Sequence, residues 1–476
     1  MVLIRFSQPL FSEMEILDST LREGELFRVL PVEARVKVAT QLAEAGVRRV
    51  ELTVDYPPRT TYEQTLPVVK ALNDRGVEVI MHGRATEEDL AAISRYDIEG
   101  CGLYIAVSKL HREFKLHGIS EQESIERLRD SVEKARSLGF RYIRATMEDA
   151  SRLFVDEGEA SIERLVPSAK LLRESGATLL SMPDTSGLMT PRLARNFFRS
   201  AKSRFEIPVS AHFHNDYGFA SANTVEACLE GADELQVTLM GVGDRNGIAD
   251  LYEVVASVED IYGVRTGINR RALKSLYSVF AKISELQVPW RHPLSESAQT
   301  VRAGVHQSMT VRRKDGYIPA QKLLNDFGEP LYAISPYVSH NLVRSILAPY
   351  TQLSPESSRK VAEALAVHTG RGPPTVRTVH DVIQSETGVS VPERDLGRYF
   401  GSEKLYVLLK LRPQFPAASL VEALTEMEEV DTVDEVYGDA DVILRAHTPP
   451  GRDSVVSQLR QRFSEQIQDM KVFVTD

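Results

Sequence analysis

Across residues 1–265 the chain repeats one theme eight times: a short apolar run rich in β-forming residues, a loop with polar side chains, then an amphipathic helical stretch. The apolar runs are EILDST (15–20), VELTV (50–54), EVIMHG (78–83), GLYIAV (102–107), YIRATME (142–148), TLLSMPDT (178–185), VSAHFHND (209–216) and ELQVTLMGVG (234–243). Helical runs such as PVEARVKVATQLAEAG (31–46) and SIERLRDSVEKARSLG (124–139) end in glycine, which takes up the left-handed helix cap most readily. Eight consecutive β-α units predict a closed (β/α)8 TIM barrel, with a doubly wound open sheet as the alternative.

In such a barrel the chemistry sits at the C-terminal ends of the strands. Polar residues collect at those ends here: Asp18, Arg22 and Glu23 after the first strand, His82 and Arg84 at the third, Arg144, Thr146 and Glu148 at the fifth, Asp184 and Thr185 at the sixth. His212, His214, Asn215 and Asp216 end the seventh. Two histidines two apart on a strand point to one side, where with an acid such as Glu23 or Asp18 they suit a divalent metal with positions left for water or substrate. The alternative is a packed interior. Arg22 beside Glu23 in DSTLREGE (18–25) reads either as a solvated loop ion pair or as a permanent, forked cation for a substrate oxygen that becomes negative. GVGDRNG (241–247) lacks the spacing of a dinucleotide loop and reads as a tight βα turn.

Beyond the barrel, residues 266–401 read as helices broken by loops, among them RAGVHQSM (302–309) and the turn-rich TGRGPPT (369–375). His306 and Tyr317 fall here and look unremarkable alone. Residues 402–476 change period to strand, helix, two strands, helix, strand, the plan of a small ferredoxin-like α+β module. From 403 onward fourteen acidic residues face eight basic ones, and the chain carries a net charge of −10, so a surface for nucleic acid is not expected. No apolar run reaches membrane-spanning length and the N-terminal residues lack a signal pattern, so a cytoplasmic protein is expected. The two cysteines, Cys101 and Cys228, exclude a disulfide framework and leave any metal to His, Asp or Glu.

DSTLREGE, HFHNDYGFASAN and GVGDRNGI, in this order at strand ends, resemble the homocitrate synthase and isopropylmalate synthase family of metal-dependent Claisen-condensing enzymes. The likeness implies condensation of acetyl-CoA with a 2-oxo acid at a divalent metal (Mg, Mn or Zn). Carried over by motif, Glu23, His212 and His214 are the implied metal ligands, Arg22 steadies the oxo or enolate oxygen, and Glu148 is the strand-5 catalytic glutamate. His306 in RAGVHQS resembles a histidine that a neighbouring subunit inserts over the barrel mouth, with Tyr317 as its companion. Such sharing implies a homodimer or higher oligomer.

A dicarboxylate substrate needs a cation at its far end, whereas 2-oxoisovalerate needs an apolar pocket. Arg144 and His82 match residues of the homocitrate-forming branch, Thr185 is a further substrate-binding candidate, and the Arg22-Glu23 pair and Ile248 also favour 2-oxoglutarate. Leu26, Asp244 and Tyr217 depart from the family pattern, and Tyr217 is placed to narrow the mouth. The last module resembles the ligand-binding domain of Lrp/AsnC-type regulators through VYGDADVILRA (436–446), implying lysine as an effector or a module that only assembles subunits. The alternatives are isopropylmalate, citramalate or Re-type citrate synthesis and, outside catalysis, an amino-acid-sensing regulatory protein.

Overall fold

The computed structural model describes residues 13–57, 60–322, 325–326, 329–368, 375–400, 403–448 and 454–475. Most of the turn-rich stretch at 369–375 lies outside them, as do the first twelve residues. Two compact units meet in sequence at Gln287 and Val288. Among the described residues no helix is long and apolar enough to cross a membrane.

In the first unit eight strands close into a parallel barrel in sequence order: β1 Glu15–Asp18, β2 Arg49–Thr53, β3 Glu78–Arg84, β4 Gly100–Ala106, β5 Tyr142–Glu148, β6 Leu179–Ser181, β7 Val209–Ala211 and β8 Glu234–Val237. Closure is through β1 and β8, with Glu15 opposite Glu234 and Asp18 opposite Val237. β6, β7 and β8 stop several residues before their apolar runs do. The polar residues that follow stand on loops held by single bridges, Asp184 to Phe213 and His214 to Ile248. Backbone bonds continue there one at a time, from the Asp184 amide to the His212 carbonyl (2.9 Å) and from the Asn215 amide to the Gly247 carbonyl (2.9 Å).

Helices wrap the barrel with one apolar face inward. In Pro191–Arg204 the buried side chains are Ala194, Phe197, Phe198, Ser200 and Ala201, at helical spacing. Thr190 caps that helix by accepting from the Leu193 backbone, and proline takes the first helical position, where no amide donor is needed. The helix Arg270–Ser284, which the sequence reading groups with the residues after 265, belongs to the first unit. Its Leu273, Leu276, Tyr277 and Phe280 are buried, and the Tyr277 hydroxyl donates to Asp250 (3.0 Å) while accepting from the Tyr252 backbone (2.9 Å).

The second unit holds two apolar cores. One gathers Leu342, Ile346, Val361, Leu365, Val379 and Ile383 from the helices His340–Leu347, Pro355–Val367 and Val376–Thr387. Beside it lies a parallel pair of short strands, β9 Thr300–Val301 and β10 Leu331–Tyr332. The other core lies beneath an antiparallel sheet of β11 Glu403–Leu411, β12 Val430–Glu435, β13 Val442–Thr448 and β14 Ile467–Thr475, in the order β12-β13-β11-β14. Alternate residues Leu405, Val407, Leu409 and Leu411 point into this core with Leu420, Leu424, Val455 and Leu459 of the two helices.

Cys101 and Cys228 are fully buried, and burial pushes both thiols up to about 12. Neither should be alkylated by iodoacetamide in the native protein at pH 8, and both should be after denaturation, as counted by intact mass. Rapid native labelling would contradict this packing.

Candidate active site at the barrel mouth

A cavity of about 450 Å³ opens at the C-terminal end of the barrel. Its walls include Arg22, Glu23, His82, Arg144, Thr146, Glu148, Thr185, His212 and His214, residues from the helix Thr20–Phe27 after β1, from β3 and β5, and from the loops after β6 and β7. Of the strand-end residues singled out from sequence, Arg22, Glu23, His82, Arg84, Arg144, Thr146, Glu148, Thr185, His212 and His214 line this space, whereas Asp18, Asp184, Asn215 and Asp216 do not.

Glu23, His212 and His214 are all buried and offer three ligand atoms within 4.8 Å of one another. His212 Nε2 stands 3.4 Å from His214 Nε2 and 3.9 Å from Glu23 Oε1. Among the described residues Glu23 Oε2 has no hydrogen-bond partner although it is buried, which is costly unless a cation completes it. Burial pushes the His212 pKa down to about 3, with His214 adding to the effect, and burial lowers His214 as well. For Glu23 burial acts upward, but Arg22 and the two imidazoles outweigh it and hold the carboxyl below its usual range. Two neutral imidazoles and one carboxylate form the donor set that a divalent ion with open positions requires. Asp18, the other acid considered, turns away: it accepts from the Thr20 backbone (2.9 Å) and hydroxyl (3.1 Å), and burial pushes its pKa up to about 7.

Behind this triad lies a carboxylate that sequence reasoning passed over. Glu51, on β2, is fully buried and accepts from Ser19 Oγ (2.8 Å), from Arg22 Nη1 (3.1 Å) and from Arg144 Nη2. Burial alone would raise its pKa, yet Arg144, Arg22 and His82 hold it well below the usual carboxylate range. Arg22 Nη1 also lies 2.7 Å from Glu23, so one guanidinium spans both acids. Arg144 Nη2 donates to His82 Nδ1 at 3.0 Å. Since arginine only donates, that nitrogen accepts and the proton of the neutral His82 ring sits on Nε2. Burial and the nearby Arg22 keep this ring uncharged. Tyr104 stacks on it, 4.9 Å between centroids and nearly parallel.

The local sequence permits this crowding at one point in β4. A Cβ on Gly102 would lie 2.7 Å from Arg144 Nη2 and 3.1 Å from His82 Nδ1, so only glycine leaves room for both side chains. Similarly, Gly247 has φ +75° and a Cβ there would meet the Gly241 carbonyl at 1.7 Å, which fixes the tight turn of GVGDRNG beside Glu23. That turn is latched to the histidine loop. Arg245 makes two 2.8 Å bonds to Asp216, and Asn246 donates to the Asn215 carbonyl at 2.7 Å.

At the rim, Glu148 is paired with Lys115, whose Nζ lies 2.7 Å from both carboxylate oxygens. Lys115 sits on the helix Lys109–Lys115 after β4, lines the cavity and escaped the sequence reading, where it looked like one charge on a polar helix. The next residue, Asp149, adopts a left-handed backbone (φ 61°) and is fixed by Ser108 Oγ (2.7 Å), Arg152 Nε (2.7 Å) and Ser186 Oγ (3.1 Å). Thr185 Oγ1 accepts from its amide at 3.0 Å. Of the three departures, Leu26 and Asp244 line the cavity, but Tyr217 is 74% exposed and is not among the lining residues. In the second unit His306, on the helix Gly304–Thr310, and Tyr317 stack with 3.9 Å between ring centroids.

A family model described as HMGL-like matches residues 13–279. The chain is 32% identical to the 2-isopropylmalate synthase of Methanocaldococcus jannaschii over 295 residues, 61% of this chain and 55% of that one, so it spans little more than half of that relative. It is 28% identical to the homocitrate synthase of Sulfolobus acidocaldarius over 449 residues, 92% of each chain. The barrel superposes on the crystal structure of a Bacillus subtilis HMG-CoA lyase with a TM-score of 0.52 at 21% identity, covering 59% of this chain and 97% of that one, a likeness of fold.

Removing the acid that joins Arg22 and Arg144 leaves the buried Arg144 without its close partner, while Arg22 keeps Glu23. Glu51→Gln should lower the unfolding free energy of the metal-free protein by about 3–5 kcal/mol, measured by urea titration. The double variant Glu51→Leu with Arg144→Met should lie closer to the wild type than Glu51→Gln does, because no lone charge remains inside.

Proposed function

The chain belongs to the HMGL-like family, and from that premise we propose that it is a metal-dependent condensing enzyme that joins acetyl-CoA to 2-oxoglutarate and releases homocitrate and CoA, as an acyltransferase of lysine biosynthesis. The observation that carries this reading is the match to a homocitrate synthase along 92% of both chains, through the second unit and not the barrel alone. The lining supports it. Around the triad the cavity presents Thr53, His82, Arg144, Thr146 and Ser181, a polar wall suited to a second carboxylate rather than to an isopropyl group. Thr146 Oγ1 has no hydrogen-bond partner among the described residues, which leaves it to a ligand.

The residues that would hold the metal are Glu23, His212 and His214, and when bound it supplies Lewis acidity to the carbonyl of the 2-oxo acid. Arg22, held between Glu23 and Glu51, presents permanent charge where the carbonyl oxygen turns negative. Arg144 and the Nε2–H of His82 take the distal carboxylate, with Thr185 as a further substrate contact. Each cation of the lining already has an acidic partner: Arg22 and Arg144 share Glu51, Lys115 has Glu148, Arg84 has Asp89 and Arg245 has Asp216. Proton removal from the acetyl methyl group is assigned to His306 with Tyr317 and Glu148, the first two reaching the mouth from a second subunit. Hydrolysis of the thioester makes the sequence effectively irreversible.

The last module is read as an Lrp/AsnC-type ligand-binding domain, supported by its β-α-β-β-α-β order and its sheet order. Asp441 of VYGDADVILRA clamps β11 through the Leu411 amide (2.7 Å) and Lys410 Nζ (2.9 Å). Its proposed effector is lysine. Isopropylmalate synthesis is the second reading, favoured by the higher identity across the barrel.

A panel of 2-oxo acids with acetyl-CoA, followed by release of free thiol, should give dominant turnover with 2-oxoglutarate and none after exhaustive chelation. Dominant turnover of 2-oxoisovalerate, pyruvate or oxaloacetate would overturn the assignment. Arg144→Ala should raise KM for 2-oxoglutarate at least tenfold more than for a monocarboxylic 2-oxo acid, about 1.4 kcal/mol of selective binding. Calorimetric titration with lysine should release heat and lower turnover; silence at millimolar lysine would leave the module as a scaffold.

A further inference from the structure

We propose that Glu234, at the start of β8 and therefore at the end of the strand away from the cavity, is a positioning residue that fixes which ring nitrogen of His212 carries the proton, acting through Ser210 and Gln236. The inference rests on the reading of Glu23, His212 and His214 as metal ligands for its consequence, but its geometry stands apart from any ion. Four buried side chains form one line: Glu234 Oε1 to Ser210 Oγ at 2.9 Å, Ser210 Oγ to Gln236 Nε2 at 2.7 Å, and Gln236 Oε1 to His212 Nδ1 at 2.8 Å.

Donor and acceptor counting gives this line a direction. Glu234 receives Arg49 Nη1 at 2.8 Å on Oε2 and the Tyr142 hydroxyl at 3.1 Å on both oxygens, with Arg144 Nη1 a further 3.9 Å off. A carboxylate among these donors can only accept. Ser210 must therefore spend its single proton on Glu234, which leaves its oxygen as an acceptor. Only the NH2 end of Gln236 can satisfy that acceptor, so its carbonyl end faces His212. Facing a carbonyl, Nδ1 must carry the hydrogen. The lone pair of His212 is then on Nε2, the atom that lies beside His214 and Glu23. A charge three side chains away thus decides whether the ring can act as a ligand.

The same counting says what an isosteric change does. In Glu234→Gln the carbonyl end is claimed by Arg49, which cannot accept, and the NH2 end turns to Ser210. Ser210 then donates to Gln236, Gln236 rotates its NH2 end toward His212, and the ring proton moves to Nε2. Adding Gln236→Glu restores the acceptor: Glu at 236 takes hydrogens from both Ser210 and His212 Nδ1, and the net charge equals that of the wild type. Arg49 keeps Glu78 as a partner throughout, at 2.7 and 2.6 Å.

The test uses full-length protein labelled with 15N-histidine and stripped of metal, with His212 assigned by the signal lost in His212→Gln. Long-range proton–nitrogen spectra should report Nδ1–H for His212 in the wild type, Nε2–H in Glu234→Gln and Nδ1–H again in Glu234→Gln/Gln236→Glu. Co2+ titrations read by visible absorption should give about 10- to 100-fold weaker binding in Glu234→Gln and near wild-type binding in the double variant. Nε2–H in the wild type, an unchanged tautomer in Glu234→Gln, or equal weakness in the double variant would overturn the proposal. Should Glu234→Gln not fold, Ser210→Ala replaces it: loss of the tautomer preference supports the relay and a retained Nδ1–H refutes it. A wild type that binds no Co2+ would remove the metal reading while leaving the tautomer pattern to decide the relay.

Discussion

The Glu51 carboxylate is the point on which the mouth of this barrel depends. Two guanidiniums and an imidazole crowd a space from which water is largely excluded, and bringing Arg22 and Arg144 there without an acid between them would cost several kcal/mol per charge. With Glu51 in place Arg22 is drawn toward Glu23, and Arg144 is drawn across the barrel toward His82. The positions of a candidate metal ligand and of the proposed distal-carboxylate cation are thereby set by one side chain on β2.

This arrangement replaces the apolar layers that commonly fill such barrels. An apolar layer of Leu17, Ile80, Tyr142 and Leu179 remains, but around it the interior is ionic, from Glu78, Arg49 and Glu234 at the strand starts to Glu51, Arg22 and Glu23 at their ends. Such a lumen adds little stability over a greasy one and holds its groups in fixed orientation. Non-glycine residues with left-handed backbones stand close to the mouth as well, Asp149 beside Glu148 and Arg245 in the turn over Glu23. Each is pinned by charged hydrogen bonds, Asp149 by Arg152 and Arg245 by Asp216. Strain is tolerated there because the surrounding contacts over-determine it.

Many of the residues that line the cavity are legible in the sequence, and little of their wiring is. The eight-fold strand-helix period, the histidine pair and the run from Asp18 to Glu25 placed most of the lining residues at strand ends, because a strand's alternation and a barrel's closure leave few choices. Glu51 was in view inside VELTV, but a single acid in an apolar strand looks the same whether it faces a neighbour's guanidinium or the solvent. Lys115 looked like surface charge. The glycine at 102 was a legible signal, since an inward glycine in a central strand marks a place where other side chains need the room. β6, β7 and β8 end before their apolar runs do, because the ladder gives way there to isolated backbone bridges.

Local period was sufficient for the closed barrel and for setting His212 and His214 on one side, because both follow from which residues alternate along a strand, and motif order added Glu23 to them. The tertiary structure supplied the rest. The helix Thr20–Phe27 after β1 turns Glu23 to the histidines and leaves Asp18 bonded to Thr20. The partners of Arg144, Glu148 and His212 were set by residues 24 to 93 positions away, and pairing across a closed barrel depends on register and depth that no local pattern records.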